Sequence, residues 1–188
     1  MKRSLGPKAL VYPTPVFVVG TYDKAGKPNV STVSWGGICS SQPPCVAISL
    51  RKSAYSHANI VERKAFTINL PSEEFVREAD YFGLVSGHNT QKLAAAKLKA
   101  ARSKLVDAPC IKEFPLVLEC RLVHTADLGL HTQFVGEVLD VKAEETIIGR
   151  GGTVDVKLLK PLIFVPDTQD YYGLGDVVAK VFSAGKEL

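Results

Sequence analysis

Apolar and polar positions trade places at short intervals along most of this chain, which is the signature of β-strands with one buried face. The run from Val16 to Tyr22 is β-rich and lies between Pro15 and the turn Asp23-Lys24-Ala25-Gly26. A second strand is predicted from Asn29 to Trp35, joined to the first through the hairpin-length Ala25-Gly26-Lys27. Gly36-Gly37 and Pro43-Pro44 mark a loop from Gly37 to Pro44, and from Cys45 to Leu50 the residues Val46, Ile48 and Leu50 share one face. Ser53 to Arg63 reads as a short helix with Ser53 as N-cap and Ala54, Ala58 and Val61 facing a core. Ala65 to Leu70 is a strand ended by Pro71, after which Ser72 caps a helix beginning Glu73-Glu74. Thr90 to Lys104 reads as a helix with a solvated basic face. Strands return around Leu116–Leu122 and Val135–Val141, and from Leu158 to Val165 with a break at Pro161. The segment from Tyr171 to Gly175 reads as irregular. Many short strands with few long helices predict a mainly β chain, a β-barrel with helical insertions.

The length of 188 residues suits a single domain, expected to run from residue 1 to 188. Hydrophobic residues at 46% and charged residues at 22% describe a globular chain. No apolar run approaches the roughly 20 residues of a membrane helix. The start MKRSLGPKALVYPTPVF has no apolar stretch of the secretory kind. Cys39, Cys45, Cys110 and Cys120 form no C-x-x-C pair, which argues against zinc or thioredoxin chemistry and suits a reducing cytoplasm. A net charge of +4 suits a small anionic ligand and is too mild to indicate nucleic acid.

Three stretches carry candidate chemistry. In Ser49–Ser56 a strand runs through Arg51 and Lys52 into a helix start bearing Ser53 and Ser56; free N–H groups, charge and hydroxyls together fit a phosphate monoester. In Ser86–Lys92 a Ser86-Gly87 turn can present amides to an anion within reach of Lys92. In Ser31–Trp35, strand alternation puts Ser31, Val33 and Trp35 on one face and Thr32 and Ser34 on the other, so that hydroxyls around a Trp can meet the rim of a planar heterocycle. The four histidines, His57, His88, His124 and His131, show no metal-binding spacing, and the dinucleotide fingerprint G-x-G-x-x-G is absent.

Taken in order, several segments resemble the flavin reductase-like, FMN-binding split-barrel family, and within it the flavoredoxin and archaeal ferric reductase branch. They are Pro15–Asp23 with Gly26–Asn29, Trp35–Ser40, Pro43-Pro44 with Ile48–Arg51, Phe66–Pro71, Ala79–Gly83, Ser86-Gly87, Leu118–Cys120, His131–Val138 and Tyr171–Gly175. The resemblance implies a homodimer with one FMN per subunit at or near the interface. It implies Ser31, Thr32 and Trp35 beside the isoalloxazine, and Cys39, Ser40 and Ser41 along its polar edge. Arg51, Lys52, Ser53 and Ser56 would hold the phosphate with Ser86, Gly87 and Lys92. His131 and Phe164 would approach the ring, His131 as the neighbour that stabilises charge on the reduced flavin. The family often carries a base near position 55 or 56, where this chain has Tyr55-Ser56. The expected activity is an NAD(P)H-dependent flavin or ferric reductase, with NADH or NADPH as donor. The alternative is an electron carrier with tightly held FMN serving a redox-protein partner.

Overall fold

The predicted alternation becomes a seven-stranded antiparallel sheet in the computed structural model, which describes residues 1–186. The last two residues of the expected domain, 187–188, lie outside the described residues. In chain order the elements are β1 (Thr14–Pro15), β2 (Phe17–Tyr22), β3 (Pro28–Val33), β4 (Gly36–Ser41) and β5 (Pro44–Arg51), then helix α1 (Tyr55–Arg63) and β6 (Ala65–Leu70). Helices α2 (Val76–Leu84) and α3 (Lys92–Ala95) precede β7 (Ala100–Arg102), β8 (Pro109–Ile111), β9 (Leu116–Asp127) and β10 (His131–Ala143). Helix α4 (Val156–Leu159), β11 (Ile163–Val165) and β12 (Asp170–Tyr172) follow.

The large sheet runs β3-β2-β6-β9-β10-β5-β4. Phe17, Val19 and Val33 from one end meet Val46, Ile48 and Leu50 from the other in a single buried cluster around Phe66, Ile68, Cys120 and Phe134. A flat sheet cannot bring its two ends into one core, so the sheet is curled into a barrel. The barrel is split, because β3 and β4 end the sheet without pairing to each other. Ile60 of α1 joins the barrel core. Val16, just before β2, and the outer face of β2 and β3, with Val18 and Val30, pack under Ala79 and Phe82 of α2 and Leu93 of α3. Glu119 of β9 is fully buried, accepting from the Lys142 ammonium at 2.5 Å and from the Lys104 amide at 3.3 Å. This ties the β7–β8 arm to the barrel wall.

Five local expectations are corrected. The segment from Gly37 to Pro44 is mostly strand β4, and only Gln42-Pro43 turns; β4 is an exposed edge of small and polar residues, which carries no alternation to read. Helix α1 starts at Tyr55 with Ala54 before it and no side-chain cap, and its buried residues are Ser56, Asn59 and Ile60 rather than Ala54, Ala58 and Val61. Helix α3 stops after four residues, and Lys97, with φ of 57°, turns the chain out to pair β7 with β8. Leu158 belongs to α4, whose first turn is capped by the Asp155 carboxylate accepting from the Lys157 amide; the strand proper starts at Ile163. Ser72 precedes a short 3-10 turn over Glu73–Phe75 and makes no side-chain cap.

Candidate functional site

A cavity of about 630 Å³ opens where the barrel is split. Its walls are β3, the end of β5 with the start of α1, the loop from α2 to α3, and the ends of β10 and β11. Its two ends differ in chemistry.

One end is polar and cationic. Lys92 is 5% exposed, and its Nζ donates to the Phe82 carbonyl at 2.7 Å and to the Ser31 hydroxyl at 3.5 Å. Burial pushes the Lys92 ammonium down to about 8. Behind Ser31, the buried Ser56 hydroxyl donates to Ser31 Oγ at 2.9 Å and accepts from Asn29 Nδ2 at 2.9 Å. Arg51 and Ser53 reach the same space from the end of β5. In the first turn of α1 the His57 amide bonds back to the Ala54 carbonyl and no side chain caps the helix, so the Tyr55 and Ser56 amides are left at its positive end, beside this region. Ser86 and Gly87 close the end, and Gly87 must lack a side chain: a Cβ there would fall 2.1 Å from Asn29 Oδ1 and 2.7 Å from Tyr55 Cδ1. The Tyr55 hydroxyl donates to Asp23 at 2.8 Å, which raises the phenol above its ordinary range and holds the ring as part of the wall.

The other end is aromatic. Trp35, just beyond β3, lies 6.5 Å from Phe164 of β11 between ring centroids, and Phe164 lies 5.8 Å from Tyr171 of β12. His131 lines this cavity from the start of β10, where it pairs with Arg51 across the β10–β5 ladder.

Ser31, Thr32, Trp35, Arg51, Ser53, Ser86, Gly87, Lys92, His131 and Phe164 are therefore brought together on one cavity. Others named from the sequence are placed elsewhere. Lys52 turns away into an ion pair with Asp127 at 2.7 Å. Ser56 is fully buried and reaches the cavity only through Ser31. Cys39, Ser40 and Ser41 sit on β4 outside the cavity lining. The remaining histidines lie apart: His57 meets Thr132 at 2.8 Å, His88 packs edge-on against Tyr55, and His124 is exposed. Sequence reasoning kept Ser34, Ser49 and Tyr55 inside its candidate stretches without assigning them to the site, and missed Asn29. Ser34 and Ser49 flank strand positions already singled out, whereas Asn29 meets Ser56 only across 27 residues of chain, and nothing local marks that contact.

Comparison with known proteins bears on the family and the fold. Residues 9–170 match the flavin reductase like domain. The structure of flavoredoxin of Desulfovibrio vulgaris (Miyazaki F) superposes with a TM-score of 0.94 at 48% identity, covering 99% of this chain and 100% of that one. Flavoredoxin from Methanosarcina acetivorans superposes with a TM-score of 0.93 at 32% identity, covering 100% and 98%. An uncharacterized protein of Archaeoglobus fulgidus is 36% identical over 115 residues, covering 61% of this chain, which spans 65% of that relative.

Proposed function

The chain belongs to the flavin reductase-like family, and we propose that it holds FMN in the cavity of the split barrel and works as an oxidoreductase. The observation that carries this reading is the meeting, in one cavity, of a buried cation with hydroxyl and amide donors at one end and a Trp–Phe pair at the other. A phosphate tail needs the first and a planar ring needs the second. The volume falls within the roughly 300–1,000 Å³ typical of cofactor sites. The likeness to two flavoredoxins over nearly the full length supports the same assignment.

Lys92, Arg51, Ser53, Ser86 and the leading amides of α1 would bind the phosphate. Trp35 and Phe164 would flank the ring, with Thr32 and Ser34 at its edge. Bound FMN supplies hydride and single-electron transfer. His131, which lines the same cavity, would offer a ring N–H to the negative charge that gathers on the flavin on reduction, and would so favour the reduced form. Trp35 is 37% exposed, which would leave room for a donor or a partner to reach the ring.

The donor in this proposal is NADH or NADPH, and the acceptor is free flavin or ferric iron. The full-length likeness to flavoredoxins favours a second reading, a carrier that exchanges electrons with a redox protein and turns over no nicotinamide. In either case we place the second copy of a homodimer against the exposed edge strand β4, where Ile38 is 88% exposed and Cys39, Ser40 and Ser41 lie beside it. The four unpaired cysteines fit a reducing compartment, taken to be the cytoplasm.

The test is a flavin titration followed by anaerobic mixing with NADH and with NADPH. FMN binding with rapid bleaching by a nicotinamide supports the reductase. Binding without bleaching supports the carrier. A colourless protein that ignores added FMN overturns the proposal.

A further inference from the structure

The hydroxyl of Ser31 has its accepting side filled from behind. Ser56 donates to it at 2.9 Å and the Lys92 ammonium approaches it at 3.5 Å. Ser56 is fully buried and its oxygen accepts from the Asn29 amide at 2.9 Å, and among the described residues Ser31 is the one acceptor within reach of its proton, which would otherwise be buried unpaired. An ammonium has no lone pair and an amide nitrogen does not accept. The chain of bonds therefore runs one way, from Asn29 to Ser56 to Ser31. One proton remains on Ser31, and the open direction for it is the cavity that Ser31 lines. Lys92 likewise has three N–H groups and spends two on Phe82 and Ser31. This end of the cavity therefore offers donors.

We propose that Asn29 and Ser56 are positioning residues that aim the Ser31 hydroxyl proton into the cavity, so that this end selects a phosphoryl oxygen, which only accepts, over a ligand hydroxyl, which must also donate. The inference deepens the FMN reading and rests on it. It moves Ser31 from the ring end to the phosphate end of the ligand, beside Lys92. It also assigns a task to two side chains that never touch the ligand: Asn29 is 5% exposed and Ser56 is fully buried. Gly87 guards the direction of the relay. Its bare Cα lets the Asn29 Oδ1 edge lie against the loop, and a Cβ at 2.1 Å would displace that carboxamide. With the carboxamide reversed, Ser56 would donate to Asn29, and its oxygen would then compete with the ligand for the Ser31 proton.

The readout is the ratio of the dissociation constants of riboflavin and FMN, which isolates the phosphate, measured in the full chain for wild type, Ser56→Ala, Ser31→Ala and the double variant. A hydrogen bond to a charged group corresponds to a factor of roughly ten or more. Ser56→Ala should lower the ratio about tenfold, and by less than about twofold once Ser31 is already Ala, because the relay then has nothing to orient. Should Ser56→Ala fail to fold, Asn29→Asp enters the same cycle: its added charge acts equally in both Ser31 backgrounds and cancels, while reversal of the relay does not. An unchanged ratio, or equal falls in both backgrounds, overturns the inference. A wild-type protein that binds riboflavin as tightly as FMN also overturns it while leaving flavin binding intact. A wild type that binds neither removes the FMN reading and the inference with it.

Discussion

The Lys92 ammonium donates to the carbonyl oxygen of Phe82 at 2.7 Å, from a position 5% exposed. A main-chain carbonyl neutralises no charge, so the cavity wall holds a cation that burial penalises. This explains why its pKa falls from 10.5 to about 8. Below about pH 8 the folded chain carries that penalty in full. Between about 8 and 10.5 the unfolded chain binds more protons, so stability of the empty protein should rise with pH across this window. Lys92→Met should raise the melting temperature of the empty protein at pH 7 and weaken FMN binding. Calorimetry with and without FMN checks both, and a variant that melts lower and binds normally refutes the account.

A phosphate dianion beside Lys92 should restore its proton. FMN binding near pH 8–9 should then take up protons, and affinity should peak between the phosphate second pKa of about 6 and the Lys92 value of about 8. Isothermal titration in buffers of different ionisation enthalpy measures the uptake directly, and a buffer-independent enthalpy at pH 8.5 contradicts it.

Gly87→Ala should weaken FMN about tenfold. The new Cβ would meet Asn29 Oδ1 at 2.1 Å and Tyr55 at 2.7 Å, so either the Ser86-Gly87 turn retreats or the Asn29 carboxamide shifts. Both remove donors to a charged group. Fluorescence titration reads the loss, and unchanged affinity would show that the turn does not serve the ligand.

His131→Ala should lower the midpoint potential of bound flavin by about 20–60 mV, the equivalent of losing one hydrogen bond to the reduced form. Spectroelectrochemistry of the loaded protein decides this, since a change in binding alone leaves the potential where it was if both redox forms are affected equally.

Lys142→Met should destabilise the fold by about 3 kcal/mol, because it strips the buried Glu119 carboxylate of its cation. Burial by itself would raise the Glu119 pKa, but bonds from Lys142, Ser103 and the Lys104 amide outweigh it and hold the carboxyl below its ordinary range. Its stabilisation is thus present above the ordinary carboxyl range and lost as pH falls through the lowered value. Urea unfolding of wild type and variant at pH 7 and pH 4 tests both statements; the gap should be the larger at pH 7.

Much of the fold was legible in the chain. The alternation of Val46, Ile48 and Leu50 marked β5, and Phe66 with Ile68 marked β6, because each strand has one face in the barrel core. Edge strand β4 was not legible, since Ile38 and Cys39 face outward and no face is buried. Nor was the short α3, where the helix-favouring run Lys92–Ala101 is overridden by the pairing of Ala100–Arg102 with Pro109–Ile111. In the site, Arg51, Ser53, Ser86, Gly87 and Lys92 were legible as anion-binding chemistry clustered in two stretches. Lys52 and Ser56 share that local chemistry but differ in where the tertiary structure turns them, one to Asp127 and the other beneath Ser31.

The sequence by itself determined which segments prefer to be strands, which residue types can meet a phosphate and a flat ring, and the family that their order resembles, because these follow from side-chain chemistry and local spacing. Only the tertiary structure decided that the barrel is split, that both chemistries face one cavity, that Lys92 is buried rather than solvated, and that Asn29 stands behind Ser56 and Ser31. Those are contacts between residues 25 to 61 positions apart, fixed by how the sheet curls and not by any neighbour along the chain.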